Sequence, residues 1–288
     1  MLFDLGDTLT DNHPCPPAQM DRLIARGFVV WLRRRSMRAG DEFTPDDRAR
    51  LAEIRASRLV DAVNRALEDV RDKYWRDGLE APPGTVFNRL QAEIAAASGL
   101  VASLSELEEV YLKERLSRQR LLPGAHELLL LLRDAGVKLG LVSNSVFSRE
   151  PMYAHLRQLG IAELLSAVVY SSDIGYRKPN PKPFMTAMAQ LGCAPNEAVF
   201  VGDAPEADLA GAVGAGLAAV WVWGRNEAAQ TLAQGPALGP GTWPDMARVP
   251  ELRLAIEKLI RPPGRKSRPG LVGAARQLHE LGPLLVDR

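Results

Sequence analysis

Several residues with reactive side chains stand directly after short apolar runs in this 288-residue sequence. Asp4 follows the first such run and Asp203 follows a later one, while Ser143 ends a third run and is followed by Asn144. Short apolar runs are typical of buried strands, and ligands of open α/β sheets bind outside the carboxyl ends of the strands. The pattern therefore predicts that two carboxylates, a hydroxyl and an amide meet at one edge of a sheet.

Lys178 and Asp208 extend this set of polar residues. Lys178 lies in the loop after another apolar run, and Asp208 lies five residues after Asp203. Carboxylate oxygens are among the ligands that Mg²⁺ prefers in proteins, while an ammonium and a hydroxyl group can bind the oxygens of a phosphoryl group. Acids, a hydroxyl and a lysine are thus predicted at strand ends, each from a distant part of the sequence.

The elements that carry these residues alternate between strand and helix after residue 121. Apolar strands are predicted at Val137–Ser143, Ala167–Tyr170, Ala198–Val201 and Ala219–Val222, with helices near 150–159, 181–191 and 206–215 between them. Such alternation is typical of an α/β protein with a parallel sheet that is covered by helices on both faces. The first strand, which leads to Asp4, would join this sheet from the far end of the chain.

A different pattern occupies the segment between the first strand and the rest of the sheet. From residue 18 to about 120, apolar residues recur at helical spacing, which predicts a compact insert of roughly four helices. We therefore divide the chain into a core (1–12 and 121–262), a helical cap domain (13–120), and a linker with a C-terminal extension (263–288). Residues 271–285 of that extension are predicted to form a short final helix.

The reactive residues, taken in order, resemble the motifs of the haloacid dehalogenase-like phosphohydrolases. The segment Asp4-Leu5-Gly6-Asp7-Thr8 is similar to their first motif, Ser143 to the second, Lys178-Pro179 to the third, and Gly202-Asp203 with Asp208 to the fourth. Each fragment alone is weak evidence, but all of them in register across the whole core are specific. The resemblance implies a Rossmann-like three-layer α/β core with an all-α cap inserted after the first strand.

The resemblance also implies how the substrate is held and attacked. Asp4 is the expected nucleophile, which becomes transiently phosphorylated. Ser143, Asn144 and Lys178 are expected to bind the substrate phosphate, and Ser143 and Lys178 are also expected to assist catalysis. The expected reaction is hydrolysis of a small phosphomonoester through an aspartyl-phosphate intermediate.

A Mg²⁺ cofactor is the second implication of the resemblance. Its expected protein ligands are the carboxylates of Asp4 and Asp203 and the main-chain carbonyl of Gly6, which needs no particular side chain. Asp208 is expected to bind the ion through water or to orient the groups that bind it directly. The ion would remove the repulsion between a carboxylate nucleophile and an anionic phosphate.

Gly6 departs from the family pattern. In active phosphatases of this family, the residue two positions after the nucleophile is usually an aspartate that protonates the leaving group and later activates water. General acid–base assistance is worth about 10²–10⁴-fold in rate, so its loss should slow poor leaving groups most. Asp7, one position further on, is a candidate replacement, although it would need a different turn geometry. The alternative function is therefore a catalytically weak or inactive relative that binds a phosphorylated ligand or a protein partner.

Two other branches of the family fit this sequence less well. The dehalogenases work without a metal, have an aromatic residue at the position of Gly6, and lack the acid pair that Asp203 and Asp208 provide. A phosphomutase would need an acid at the Gly6 position, where this chain has none. Phosphomonoester hydrolysis is the function that the residues favour.

Composition and charge narrow the choice of partners and location. The sequence has 36 Lys+Arg and 35 Asp+Glu, which leaves a net charge of +1, so no overall field attracts nucleic acid or an anionic membrane. No apolar run approaches the roughly 20 residues that a membrane helix needs, and two widely separated cysteines favour a reducing cytoplasm. The expected partner is a small phosphorylated metabolite. Residues 261–288 are candidates for binding a partner or for forming a homodimer, and a mobile tail is an equally good interpretation of them.

Overall fold

The computed structural model describes residues 1–12, 15–38, 56–98, 101–222 and 271–275. The chain forms two compact units. The core unit contains Met1–Asn12, Arg120–Asn144 and the described residues from Leu156 onward, and the helical unit contains the described residues of His13–Gln119 together with Ser145–His155. Parts of the predicted core and of the predicted C-terminal extension, at 223–270 and 276–288, lie outside the described residues.

The helices are distributed along the chain much as the apolar spacing predicts. Their bounds are α1 Pro17–Arg38, α2 Ala56–Lys73, α3 Asn88–Ser98, α4 Leu104–Leu116, α5 Ala125–Asp134, α6 Arg149–Gln158, α7 Ser171–Ile174, α8 Pro181–Leu191 and α9 Gly211–Gly214, with a π-helical turn at Pro205–Ala210 before α9. Within the described part of the chain, no helix combines the length and the apolar character that crossing a membrane requires.

The described strands form one parallel sheet in the core unit. The strands are β1 Leu2–Phe3, β2 Gly140–Ser143, β3 Ala167–Tyr170, β4 Val199–Gly202, β5 Ala218–Val222 and β6 Leu271–Ala275. Their spatial order is β3-β2-β1-β4-β5-β6, and every neighbouring pair is parallel. This is the strand order of a Rossmann-like fold, and the predicted α/β fold class is therefore confirmed.

Strand β1 is short but lies in the middle of the sheet. Leu2 pairs with Gly140 on one side and with Phe200 on the other, and both residues of β1 are fully buried. The order of the strands reverses at β1, because β2 lies on one side of it and β4 on the other. Ligands of such sheets bind at this reversal point, beyond the carboxyl ends of the strands, which is where Asp4 follows β1.

Helix α8 shows how the core unit fixes the loops that precede its helices. Asn180 caps the helix by accepting a hydrogen bond from the main-chain N–H of Lys182, and Pro181 takes the first helical position, where its missing N–H costs nothing. Phe184 packs edge-on against Phe200 of β4, with ring centroids 5.0 Å apart. Burying an aromatic side chain of this kind stabilises the fold by about 1.5–3 kcal/mol, so the loop that carries Lys178 leads into a firmly anchored helix.

The helical unit has its own core. Helix α1 packs against both α2 and α4, and α4 begins with a capping box in which Ser103 and Glu106 satisfy each other's main-chain N–H groups. Phe87, Tyr111 and Phe147 form a cluster of rings with centroids between 5.6 and 6.4 Å apart. The insert after the first strand is therefore all-α over its described residues.

The structure corrects two details of the predicted organisation. Residues 271–275 form strand β6, which pairs with β5, and the predicted helix over 271–285 is therefore wrong at its beginning. The main chain of this segment pairs with the edge of β5 and thereby satisfies main-chain groups that an unpaired edge would leave open. In addition, Ser145–His155, which the strand–helix alternation assigned to the core, clusters with the helical unit.

Candidate active site

Asp4 is held at the carboxyl end of β1 by the sheet and by a tight loop. Its main-chain N–H donates to the carbonyl of Val201 over 2.9 Å, which continues the pairing of β1 with β4. After Asp4 the chain turns back, because the N–H groups of Leu9 and Thr10 both donate to the carbonyl of Leu5, over 2.9 and 2.8 Å. The side chain of Asp4 is therefore presented at the sheet edge by a loop with few degrees of freedom.

Lys178 brings a positive charge directly to Asp4. Its Nζ lies 2.5 Å from Oδ1 of Asp4, 2.9 Å from the carbonyl oxygen of Val142 and 2.7 Å from Oδ1 of Asp208. Two of its donors form hydrogen bonds, to Asp4 and to the Val142 carbonyl, and the Asp208 carboxylate adds an ion pair, so the charge is compensated although the residue is only 3% exposed. The structure thus brings together the predicted nucleophile and the predicted lysine.

Asn144 and Ser143 lie at the end of β2, where they were predicted. Ser143 is buried as the last residue of β2. The carboxamide of Asn144 clamps the main chain of Lys178, because its Nδ2 donates to the Lys178 carbonyl over 3.1 Å and its Oδ1 accepts from the Lys178 N–H over 2.8 Å. The observed contact of the Asn144 side chain is thus with Lys178, and its predicted role in phosphate binding stays a prediction.

Asp208 is tied both to the lysine and to the end of β4. Its Oδ2 accepts hydrogen bonds from the main-chain N–H groups of Asp203 and Ala204, each over 3.1 Å, while its Oδ1 faces Lys178. A side chain on Gly202 would place its Cβ about 2.5 Å from Oδ2 of Asp208, so only glycine leaves room for this carboxylate. Asp208 therefore positions the chain around Asp203 as well as contributing charge.

Among the described residues, Asp203 has neutral hydrogen-bond donors and no cation in direct contact. Its Oδ1 accepts a long hydrogen bond of 3.4 Å from Oγ1 of the buried Thr8, and its main-chain carbonyl accepts one of 2.9 Å from Nε1 of Trp221. Neither Thr8 nor Trp221 was among the predicted site residues. Trp221 lies in the predicted apolar strand Ala219–Val222, and only the pairing of β4 with β5 reveals that its indole reaches Asp203.

The three aspartates can hold one metal ion together. Asp4, Asp203 and Asp208 each offer a carboxylate oxygen, and these atoms all lie within 4.8 Å of one another. Ligands of Mg²⁺ lie about 2.1 Å from the ion and hence at most about 4.2 Å apart, so the spacing fits such an ion with a small adjustment or with a bridging water. Hard carboxylate oxygens are also the donor type that Mg²⁺ prefers.

The electrostatics of the site favour a bound cation. Burial, with the nearby charge of Asp208, raises the pKa of Asp4 to about 6 even though Lys178 opposes the shift. Burial, together with the charges of Asp4, Asp208 and Asp7, raises the pKa of Asp203 to about 8. Burial alone would lower the pKa of Lys178, but the carboxylates of Asp208 and Asp4 raise it above its ordinary value. The carboxylates thus outnumber the single ammonium, and a divalent ion would balance them.

A family assignment now rests on more than the motifs. The model of the haloacid dehalogenase-like hydrolase family matches residues 1–216, a span that contains every predicted site residue. The chain therefore belongs to the haloacid dehalogenase-like hydrolase family, and the resemblance inferred from the sequence is confirmed.

Individual relatives agree on hydrolysis of phosphate esters. The chain is 33% identical over 233 residues to a phosphoserine phosphatase of Thermus thermophilus, in an alignment that covers 77% of this chain and 87% of that protein. It is 28% identical over 221 residues to a ribulose-1,5-bisphosphate 5-phosphatase of Halopiger xanaduensis, covering 76% and 82%. These similarities support hydrolysis of a phosphoester as the general function of the chain.

Comparison with solved structures supports the fold. A 2-haloacid dehalogenase from Pseudomonas syringae aligns with a TM-score of 0.57 and 20% identity, over 99% of this chain and 97% of that chain. Because that protein is a dehalogenase, the shared fold by itself does not select the reaction. The choice between reactions depends on the side chains at the strand ends.

Proposed function

We propose that this chain hydrolyses a small phosphomonoester in a Mg²⁺-dependent reaction that transiently phosphorylates Asp4. One observation carries the proposal: oxygens of Asp4, Asp203 and Asp208 lie within 4.8 Å of one another, and Lys178 contacts Asp4 over 2.5 Å. A carboxylate nucleophile, a group of potential metal ligands and a buried ammonium are thus collected at one point. Asp4, the Gly6 carbonyl, Asp203 and, directly or through water, Asp208 would hold the Mg²⁺, whose positive charge would offset the repulsion between nucleophile and phosphate.

The residues of the site divide the reaction into two displacements. In the first, a carboxylate oxygen of Asp4 attacks phosphorus, and the bond from phosphorus to the leaving oxygen breaks. Ser143 donates a hydrogen bond to the phosphoryl group, and Lys178 neutralises charge on it while holding Asp4 in place. In the second, water attacks the same phosphorus and releases phosphate, and the electron pair returns to the carboxylate of Asp4.

The substrate is assigned only by class. The two phosphatases described above act on phosphoserine and on a sugar bisphosphate, according to their names, which supports a small phosphorylated metabolite. We assign substrate selection to the helical unit as the cap that the sequence predicts over 13–120. Cytoplasmic location, the lack of nucleic-acid and membrane partners, and homodimer formation stay predictions from composition and sequence pattern.

A generic aryl phosphate tests the proposed chemistry. The purified protein should hydrolyse p-nitrophenyl phosphate with added Mg²⁺ and lose that activity with a chelator. Asp4→Asn should abolish turnover, whereas the exposed surface change Asp134→Asn should not. Reactions with p-nitrophenyl phosphate labelled in its phosphoryl group, quenched with acid, should show label on the wild-type protein and none on Asp4→Asn.

The competing function is a catalytically weak or inactive protein that binds a phosphorylated ligand. Gly6 favours it, because the position of the usual acid has no side chain. Mg²⁺-dependent binding of inorganic phosphate with no turnover of p-nitrophenyl phosphate would support this function and overturn the enzymatic one. Turnover that survives in Asp4→Asn would overturn Asp4 as the nucleophile.

A further inference from the structure

Gly6, which stands where the usual acid is expected, has the polar side chain of Asn12 beside it. A Cβ built on Gly6 would lie 3.2 Å from both Cγ and Nδ2 of Asn12, and 3.5 Å from its Cβ. The two distances of 3.2 Å are tighter than ordinary contact, so a side chain at position 6 would begin against the Asn12 carboxamide and would require it to shift slightly. Gly6 and Asn12 are both half-buried, which leaves this part of the loop accessible to a substrate.

Asp7 holds Asn12 in this position. Its Oδ1 accepts a hydrogen bond from the main-chain N–H of Asn12 over 3.2 Å. The preceding residue, Asp11, donates its main-chain N–H to the Arg120 carbonyl over 2.9 Å. Asp7 has a φ of 57°, and within the described part of the chain it is the single non-glycine residue with positive φ. Aspartate tolerates this conformation because its short side chain can bond the main chain nearby. The Asp7 carboxylate is thus engaged in closing the loop.

The carboxamide of Asn12 is available for a ligand. Among the residues that the structure describes, no group forms a hydrogen bond with this side chain, and the bond that Asn12 makes to Asp7 comes from its main-chain N–H. A carboxamide offers two N–H donors and one acceptor oxygen, and none of them depends on pH near neutrality.

We propose, resting on the function above, that the Asn12 carboxamide takes the place of the absent acid and hydrogen-bonds the leaving oxygen. When the bond between phosphorus and that oxygen breaks, the electron pair passes to the oxygen, and an N–H of Asn12 stabilises the developing charge. An amide does not give up a proton, so a water molecule protonates the oxygen and becomes hydroxide. The water that later attacks the phosphorylated Asp4 releases a proton, which neutralises that hydroxide.

This role makes the reaction rate depend on how basic the leaving oxygen of the substrate is. A hydrogen bond stabilises a leaving oxygen less than full protonation does, so esters of weakly basic alcohols should react best. Phenyl phosphate and p-nitrophenyl phosphate have similar shapes but leaving groups of different basicity. The ratio of their kcat/KM values therefore measures help to the leaving group separately from binding.

Asn12 variants of the full chain, assayed with Mg²⁺, test the proposal. Asn12→Ala should lower kcat/KM for phenyl phosphate about tenfold more than for p-nitrophenyl phosphate, which is the effect of one lost hydrogen bond. Asn12→Ser keeps a donor and should recover part of the difference. Asn196→Ala, an exposed asparagine just before β4, is the matched control and should leave both rates unchanged.

Restoring an acid provides the converse test. Gly6→Asp combined with Asn12→Ala should raise kcat/KM for phenyl phosphate by about 10²-fold over wild type. Gly6→Asp alone should gain less, because Asn12 occupies the space that the new side chain needs.

Two patterns of results would overturn the role of Asn12. Equal losses on both substrates in Asn12→Ala would make the residue merely structural, and equal gains in the single and double Gly6 variants would show that the two side chains do not compete. If these occur while Asp4→Asn still abolishes Mg²⁺-dependent turnover, the proposed function stands and the Asn12 proposal alone falls. If wild type shows no turnover, both fall.

Discussion

The loops after β1 and β4 hold two carboxylates of the same site in opposite ways. Asp4, after β1, has the Lys178 ammonium 2.5 Å from its Oδ1. Asp203, after β4, has a neutral hydroxyl 3.4 Å from its Oδ1 and lies near other acids. The pKa of Asp4 is raised to about 6 and that of Asp203 to about 8, although burial is the largest cause in both cases.

The difference shows where the protein supplies its own cation and where it does not. Lys178 partly offsets the burial of Asp4, whereas Asp203 has no comparable partner among the described residues. A metal ion shared by these carboxylates would therefore stabilise the β4 end of the site more than the β1 end.

Removing Lys178 should have the largest effect on stability, because Asp4 then lacks a cationic partner just as Asp203 does. Lys178→Met leaves the buried carboxylates of Asp4 and Asp208 without their counter-charge, which should destabilise the metal-free protein by about 3–5 kcal/mol. Urea unfolding would measure this, with the exposed Lys182→Met as control at within about 0.5 kcal/mol of wild type. A loss below about 1 kcal/mol would mean that the Lys178 contacts contribute little.

The pH dependence of stability should reveal the uncompensated carboxylate. A carboxyl with a raised pKa in the folded state keeps a proton that the unfolded chain loses, so its stabilising contribution is complete at low pH and is lost as pH rises. For Asp203 the window runs from the ordinary aspartate pKa of 3.8 to its raised pKa of about 8. Without metal, stability should fall across this window by an amount on the order of a few kcal/mol.

Added Mg²⁺ and the variant Asp203→Asn should each reduce the loss of stability with rising pH, for different reasons. The ion favours the ionised carboxylates, and at 100 times its dissociation constant it should add about 2.7 kcal/mol of stability. Asp203→Asn removes the titrating group and should also weaken the response to Mg²⁺, whereas Asp134→Asn should change neither. Thermal unfolding at several pH values, with chelator or Mg²⁺, gives both results. An unchanged slope in Asp203→Asn would contradict the assignment.

Trp221→Phe should have a smaller effect on the β4 side. It removes the indole donor to the Asp203 carbonyl, which should cost about 1 kcal/mol and weaken Mg²⁺ binding several-fold. Trp75→Phe is the matched control, because it also removes an indole hydrogen bond, to Glu80 in the helical unit. It should cost similar stability and leave Mg²⁺ binding unchanged. Equal effects of both variants on Mg²⁺ binding would argue against a positioning role for Trp221.

Thr8→Val should have the smallest effect, since it removes only a long hydrogen bond. The change keeps the shape of a fully buried side chain and removes the 3.4 Å donor to Asp203. Mg²⁺ affinity should fall by about threefold or less. Thr10→Val removes a hydroxyl bond to the Leu5 carbonyl in the same loop and should not change Mg²⁺ affinity. A larger loss of Mg²⁺ affinity in Thr8→Val would show that this hydroxyl orients Asp203 more strongly than its long hydrogen bond indicates.

The strand ends could be predicted from the sequence because their causes are local. A buried parallel strand needs a short apolar run, and the polar residue that ends it, such as Asp4 or Asp203, then lies at the ligand-binding edge. The approach of Lys178 to Asp4 was predictable only through the family resemblance, because 174 positions separate them.

Other contacts depend on neighbours that the sequence does not place. Trp221 reaches Asp203 only because β5 lies beside β4. The segment 271–275 has apolar residues compatible with a helix or a strand, and pairing with the edge of β5 decides between them. Asn12 lies beside Gly6, which has no side chain, and no pattern in the sequence predicts this proximity.

The central place of β1 has a consequence for how the chain is synthesised. Leu2 is translated well before its sheet partners Gly140 and Phe200. Contacts between residues so distant in sequence form slowly, because a long loop must close first. Strand β1 must therefore remain without its sheet partners until Phe200 has been translated, and during that time it is a natural segment for a chaperone to shield.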